Sequence, residues 1–151
     1  MELAREQQNI ISWLSRAYHE VQMYLDKKYE HLGISGYHHA YITIVCRNPG
    51  ISQKKLKDFF MLDPSNITRS LIFLEKTGYL RRERDSKDKR AWNIYPTKKA
   101  LQNYDEIVEI FENWKKEVMG DFTVAEQEAF GLFLRKITRK MEKLLEEDRK
   151  I

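Results

Sequence analysis

Two short amphipathic segments separated by only three residues constrain the fold of this chain most. Ser52 can cap a helix over 53–60, and a second helix is predicted from its cap at Asp63 to about Thr77. Pro64 then occupies the first helical position, where its missing N–H costs nothing. The residues expected on the buried faces are Leu56, Phe59 and Phe60 in the first helix, and Ile67, Leu71 and Leu74 in the second. So short a connection predicts one helix-turn-helix unit.

A basic hairpin is predicted directly after this helix pair. Gly78 ends the second helix, and strands are expected over 79–84 and 90–95, because the segment DSKDK between them has no apolar member and forms turns. Trp92 and Ile94 would share one face of the hairpin by the period of two. The tip carries three cations and two acids expected to orient them: Lys87, Lys89, Arg90, Asp85 and Asp88. Two short helices followed by such a hairpin make a winged helix-turn-helix.

Amphipathic helices are also predicted before this unit. The first spans about 4–30 and ends at Gly33, a residue suited to a left-handed stop. Ser35 is expected to cap a second helix over 36–47. Ile51 is expected to form a one-residue bridge after the turn that follows this helix.

Two longer helices are predicted after the hairpin. One starts at Pro96-Thr97, and the last one starts at a capping box between Thr123 and Glu126. The apolar stripe expected on the first is Leu101, Tyr104, Val108, Phe111, Trp114 and Val118. The heptad seam expected on the last is Phe130, Leu134, Ile137, Met141 and Leu144. The predicted fold is therefore mainly α with a small β wing, in a single domain.

The net charge is concentrated in the middle of the chain. Residues 47–99 hold 14 Lys and Arg against 6 Asp and Glu, a net charge of +8, whereas the two flanks together have a net charge of −4. A basic centre between mildly acidic ends is typical of a segment that binds a polyanion and is held by a separate scaffold. A solvated basic surface without a partner is the alternative that charge alone leaves open.

The order of the elements and their charge together indicate binding to duplex DNA. An α-helix fits the major groove, where each base pair shows a distinct pattern of donors and acceptors. Long cations on a narrow hairpin tip can enter the minor groove. Arg69 suits either a guanine or a phosphate, and both remain open. The predicted DNA contacts are Ser52, Gln53, Lys54, Pro64, Ser65, Asn66, Thr68, Arg69, Lys87, Lys89 and Arg90.

The segment LDPSNITRSLIFLEKTGYLRRERDSKDKRAWNIYPTKKA resembles the MarR family of transcription regulators, and the similarity extends over nearly the whole chain. The matching positions are Leu62, Asp63, Ser65, Thr68, Arg69, Leu74, Glu75, Lys76, Gly78, Asp85, Asp88, Arg90 and Thr97. Departures from the family pattern are Ile72, Phe73, Pro96 and Ala100. The resemblance implies an obligate homodimer on a pseudo-palindromic operator, with Ser65, Asn66, Thr68 and Arg69 in the major groove and Arg90 at the minor groove. It favours repression, with activation as the alternative.

Dimerisation is expected through the helices that flank the 35–99 DNA-binding lobe, in the segments 1–34 and 100–151. The residues expected in that interface are Ile11, Leu14, Phe130, Leu134, Ile137, Met141 and Leu144. The resemblance further implies a small aromatic or phenolic effector between these helices and the lobe. The candidate ligand residues are Trp13, Arg16, Tyr37, His38 and Tyr41, and Arg16 could pair with a carboxylate. Aromatic core filling is the alternative for this cluster.

Other functions find little support in the residues. The chain has none of the glycine loops or nucleophile motifs of common enzymes, so we expect neither catalysis nor a cofactor. His38 and His39 are adjacent and cannot share one helical face, so no metal site is expected. The single cysteine, Cys46, suits a buried thiol better than a redox sensor. No apolar run approaches the ~20 residues that span a bilayer, and the start lacks a signal peptide, which predicts a cytoplasmic protein. A protein-binding adaptor is the remaining rival.

Overall fold

A computed structural model describes residues 9–60 and 64–149. The helices are α1 (Ile10–Tyr29), α2 (His39–Arg47), α3 (Gln53–Phe60), α4 (Pro64–Lys76), α5 (Lys98–Met119) and α6 (Val124–Asp148), with a short 3-10 helix at Glu30–Leu32. The strands are β1 (Ile51–Ser52), β2 (Leu80–Arg84) and β3 (Trp92–Pro96). The predicted fold class, mainly α with a small β wing, is confirmed. Contacts along the chain divide the protein into two compact units, with the boundary between Phe111 and Glu112.

The N-terminal helix is bounded by a polar cap and a left-handed glycine. Asn9 accepts a hydrogen bond from the N–H of Ser12 at 2.9 Å, so α1 starts at Ile10. The predicted start near Ala4 lies outside the described residues. Gly33 has φ +69° and donates its N–H to Glu30, which confirms the predicted stop.

The predicted start of α2 is wrong by three residues. The helix begins at His39 rather than Gly36, and Ser35 does not cap it. Instead Ser35 Oγ is hydrogen-bonded to His38 Nδ1 at 2.9 Å, and the N–H of Gly36 donates to the carboxylate of Asp26 at 2.7 Å. A Cβ on Gly36 would lie 2.5 Å from a side-chain carbon of α1. Close packing against α1 therefore holds residues 36–38 in a turn.

The strands form an antiparallel sheet in the order β1-β3-β2. β1 has two residues instead of the single bridge expected at Ile51, and Ile51 lies opposite Ile94. β3 starts two residues later than predicted, because Ala91 is still part of the turn and donates its N–H to Asp88 O at 2.9 Å. In the hairpin, Arg84 lies opposite Trp92.

The helix pair packs largely as predicted. Leu56, Ile67, Leu71 and Leu74 are buried, whereas Phe59 is 65% exposed, contrary to the prediction. Phe60 stacks on the buried ring of Tyr41 with centroids 4.2 Å apart, and it takes the core-facing place on α3. Asp63, the predicted cap of α4, lies outside the described residues, but α4 starts at Pro64 as predicted.

The predicted apolar stripe of α5 is partly wrong. The buried residues of α5 are Ala100 and Ile107, whereas Leu101 and Val118 are exposed. Thr97 explains which face of α5 is buried. Its hydroxyl accepts from the N–H of Ala100 and donates to Gly78 O, and these bonds turn the Ala100 face of the helix inward. The Tyr29 hydroxyl donates to Ile107 O at 2.9 Å and ties α1 to the same face.

The second unit consists of the end of α5 and α6. Thr123 and Glu126 form the predicted capping box at the start of α6. Gln127 donates its side-chain amide to Met119 O and Phe122 O across the turn between the helices. Within the part of the chain that the structure describes, no residue of α6 is buried. Nor is any helix of residues 9–60 and 64–149 long and apolar enough to cross a membrane.

Candidate nucleic-acid interface

The exposed face of α4 carries short polar side chains and one long cation. Ile67 anchors the helix in the core, and this leaves Ser65, Asn66 and Arg69 exposed and Thr68 half-buried. The guanidinium of Arg69 donates a hydrogen bond to the side-chain oxygen of Asn66, one turn away. The two side chains thus present donors and an acceptor together, as base edges require. Of Pro64 only its place at the start of α4 is described.

The start of α3 lies beside α4. Ser52 Oγ accepts from the N–H of Lys55 at 3.2 Å, which confirms the predicted cap. The next residue, Gln53, is half-buried, and its side-chain nitrogen donates to Thr68 Oγ1 of α4 at 3.3 Å. Lys54 is exposed. The start of α3 therefore lies against Thr68 of α4.

Two carboxylates build the turn at the tip of the hairpin. The carboxylate of Asp85 accepts from the N–H groups of Lys87 (2.8 Å) and Asp88 (2.9 Å) and from the side-chain amide of Asn93 (2.8 Å). These bonds, the one from Asp88 first, lower the pKa of Asp85. Asp88 in turn accepts from the N–H of Arg90 at 3.0 Å. The acids therefore orient the backbone of the tip, whereas the sequence predicted that they orient the basic side chains.

The three cations of the tip, Lys87, Lys89 and Arg90, are all exposed. Sequence reasoning missed the arginine side chains of β2 that support this tip by contacts with Trp92. The Arg84 guanidinium lies 4.0 Å from the ring centre of Trp92 and donates to Lys89 O at 2.9 Å. The Arg82 guanidinium lies 5.2 Å from the same ring centre and pairs with Glu75 of α4 at 2.6 Å. The period of two, which puts Arg82 and Arg84 on the face of Trp92, was the available signal.

A cavity of about 510 Å³ borders the polar face of α4. Its walls include Tyr37 and His38, two of the five candidate ligand residues, together with Tyr18, Asn66, Arg69 and Phe73. The His38 ring stacks on Phe73 with centroids 4.4 Å apart, and burial lowers its pKa. Phe73, a departure from the family pattern, was not predicted to line this site.

The other three candidate ligand residues do not line this cavity. Tyr41 is fully buried and stacks on Phe60, and burial raises the pKa of its phenol. Trp13 is exposed on α1, and Arg16 lies over its ring and pairs with Glu20 at 3.7 Å. Tyr41 thus fills the core, as the alternative interpretation held.

Cys46 and the paired histidines have ordinary structural surroundings. Burial raises the pKa of the Cys46 thiol to about 11, which disfavours the thiolate that redox chemistry needs. His39 stacks on Tyr29 and on Phe111, and its Nδ1 contacts Gly36 O at 2.5 Å, whereas His38 stacks on Phe73. Among residues 9–60 and 64–149, no group of three potential metal ligands occurs.

Comparison with known proteins gives the same family as the sequence motifs. A family model described as the MarR family matches residues 37–92. The HTH-type transcriptional regulator PrsX of Escherichia coli is 30% identical over 117 residues, which cover 72% of this chain and 68% of PrsX. The structure of a MarR protein from Peptoclostridium difficile DA00132 aligns over 95% of this chain and 94% of its own, with 27% identity and a TM-score of 0.80.

A second solved structure shares the fold at lower identity. It is a MarR family transcriptional regulator from Listeria monocytogenes complexed with a 26mer DNA. It aligns over 89% of each chain with 23% identity and a TM-score of 0.77.

Proposed function

This chain belongs to the MarR family of helix-turn-helix transcription regulators, and from that premise we propose that it binds duplex DNA as a homodimer and represses transcription. The observation that carries the proposal is the polar outer face of α4 beside a hairpin with three exposed cations at its tip. Asn66 and Arg69 would read base edges in the major groove. The tip would enter the neighbouring minor groove, with Arg90 at its end. The Listeria relative, which has the same fold, was crystallised with DNA.

The homodimer is supported by apolar surface that one chain leaves open. On α1, Ile10, Ile11 and Trp13 are more than half exposed. On α6, Phe130, Phe133 and Leu144 are also more than half exposed. Several large apolar side chains left exposed on one helix mark an interaction site. We propose that the interface comprises Ile11, Leu14, Phe130, Leu134, Ile137, Met141 and Leu144.

A dimer would also bind DNA more tightly than one chain. One helix pair and one hairpin make few phosphate contacts, and non-specific affinity rests on the number of such contacts. Two copies on one face of the duplex double that number, and their half-sites would lie ~34–36 Å apart. A regulator of this kind acts in the cytoplasm, and repression follows where its site overlaps a promoter.

Selection of bound duplexes from a random pool tests the proposal. We expect an enriched inverted repeat with half-sites about one helical turn apart, bound by a protein that elutes as a dimer. A monomer that retains no duplex at low salt would refute the proposal. Enrichment of a direct repeat would refute the homodimer. Retention on another protein but on no duplex would favour the adaptor function.

The cavity beside α4 supports a second proposal, an aromatic effector with a carboxylate. The rings of Tyr37, His38 and Phe73 would contact its apolar part, and Arg69 would pair with its charge. Thermal-shift measurements with aromatic carboxylates test this. We expect stabilisation of the wild type and none of His38→Ala, with His19→Ala, which changes an exposed histidine, as control. Equal responses of both variants would exclude this cavity as the binding site.

A further inference from the structure

Trp92 lies where the hairpin leaves the hydrophobic core. Its neighbour on the same face of β3, Ile94, is fully buried, whereas Trp92 is half-buried. Two arginines of β2 share this face, because Arg82 lies opposite Ile94 and Arg84 lies opposite Trp92. Their guanidinium groups lie 5.2 and 4.0 Å from the centre of the Trp92 ring. Both arginines therefore bind one aromatic ring through cation–π contacts.

Each of these arginines also binds a second part of the structure. Arg82 donates two hydrogen bonds to one carboxylate oxygen of Glu75 near the end of α4, at 2.9 Å from Nε and 2.6 Å from Nη2. Arg84 donates to Lys89 O in the turn at the tip, at 2.9 Å. Contacts therefore run without a break from α4 to the tip, and both arginines share the Trp92 ring. We call this set the Trp92 cluster: Glu75, Arg82, Trp92, Arg84 and the backbone of Lys89.

The opposite face of the hairpin carries a comparable contact that does not reach α4. There the Arg81 guanidinium lies 4.6 Å from the centre of the Tyr95 ring and pairs with Glu83. Because these three residues all belong to β2 and β3, their contacts join one strand to the other. The two faces thus offer a matched comparison between a ring that connects the hairpin to α4 and a ring that does not.

We propose that Trp92 is a positioning residue that fixes the distance between the hairpin tip and α4. The inference rests on the proposed DNA binding, in which Asn66 and Arg69 read the major groove while Arg90 enters the minor groove. A planar guanidinium that lies on a ring and donates hydrogen bonds at the same time has little freedom. With the Trp92 cluster intact, the two grooves are read at one separation along the duplex. Without it, the tip takes several positions and accepts several separations.

Operators with a displaced A·T-rich segment test the inference. In the duplex enriched from the random pool, the minor-groove segment contacted by the tip is moved relative to the major-groove bases. One base pair moves it by about 3.4 Å along the axis. We expect the wild type to lose about tenfold in affinity, the cost of a mismatched base pair. We expect Trp92→Leu, which removes the ring and no charge, to bind the original and displaced duplexes nearly equally.

Two further variants show whether the ring itself is responsible. Trp92→Phe retains an aromatic ring for both arginines and should restore the preference for the original spacing. Tyr95→Leu, which removes the ring beside Arg81, is the matched control and should keep the wild-type preference. If Tyr95→Leu abolishes the preference as well, the hairpin as a whole sets the distance and the assignment to Trp92 is wrong.

Affinity and footprints on the original operator complete the test. Two exposed cation–π contacts correspond to about a tenfold change in the population of the ordered tip, so a dimer with two hairpins should lose up to about 100-fold with Trp92→Leu. Protection of guanine N7, a major-groove atom, should persist in that complex while minor-groove protection at the tip is lost. An equal loss of affinity on original and displaced duplexes, as simple destabilisation gives, would overturn the inference although DNA binding stands. If the wild type binds no duplex, the proposed function itself fails.

Discussion

Replacing Arg90 by alanine separates the charge of the hairpin tip from its structure. Among residues 9–60 and 64–149, the hydrogen bond that Arg90 makes in the turn comes from its backbone N–H, which donates to the Asp88 carboxylate at 3.0 Å. Further bonds of the turn join Asp85 to Lys87, Asp88 and Asn93, and Ala91 to Asp88. None of these bonds involves the Arg90 side chain, so the substitution removes one exposed cation and leaves the turn in place.

The expected effect follows from counterion release. Each neutralised phosphate contributes about −0.9 to the slope of log affinity against log salt concentration. A dimer has two hairpins, so Arg90→Ala should reduce the magnitude of the slope by about 1.8. Between 50 and 200 mM salt, a fourfold change, the wild type should therefore lose about 12-fold more affinity than the variant.

Fluorescence anisotropy of a labelled operator at four or more salt concentrations measures both slopes. Arg16→Ala is the control, because Arg16 is an exposed arginine of α1 that pairs with Glu20. Its slope should equal that of the wild type. Parallel slopes for Arg90→Ala and wild type, with a lower affinity at every salt concentration, would refute the reasoning, because the side chain would then contribute no phosphate neutralisation.

Three further predictions concern the protein without DNA. Tyr29→Phe removes a buried hydrogen bond to Ile107 O and should lower the free energy of unfolding by about 1 kcal/mol in urea titrations. Cys46 should react with iodoacetamide at pH 7.5 about 100-fold more slowly than free cysteine, because its pKa is raised to about 11; an equal rate would refute this. Asp85→Ala should speed amide exchange at Lys87 and Asp88, measured by NMR. Since the folded pKa of Asp85 is lowered, its stabilisation is present above the usual aspartate pKa and is lost as pH falls through the folded value, so acid should loosen the wild-type turn similarly.

Local signals predicted the order and type of the elements well. As expected, α3 begins directly after Ser52 and α4 begins at Pro64. The glycines predicted to end helices, Gly33 and Gly78, have positive φ values of +69° and +79°. These signals are local, since a cap or a positive φ depends on neighbouring residues. The start of α2 was mispredicted because Gly36 packs against α1 and its N–H is bound by Asp26, contacts that no local pattern contains.

The candidate site likewise has features that local patterns predict and contacts that they do not. The polar face of α4 could be predicted, because helical spacing that buries Ile67 must turn Asn66 and Arg69 outward. The bonds from Asn93 to Asp85 and from Gln53 to Thr68 could not, because they join different elements at a register and distance set by packing. Single-sequence patterns thus identify which side chains of α4 are exposed, while the contacts that hold them in place depend on the fold.

The hairpin explains why those supporting contacts matter for binding. Its base is anchored in the core by Leu80 and Ile94, but at Arg84 and Trp92 the hydrophobic core no longer holds it. Order beyond that point depends on polar and cation–π contacts, namely the Arg82 pair with Glu75, the Arg84 stack on Trp92 and the bonds to the Asp85 carboxylate. A tip that is already ordered loses less conformational entropy when it enters a groove, so more of the attraction between its cations and the phosphates is retained as affinity. In the proposed complex, Asp85 and Asp88 would therefore support DNA binding although their charge opposes it.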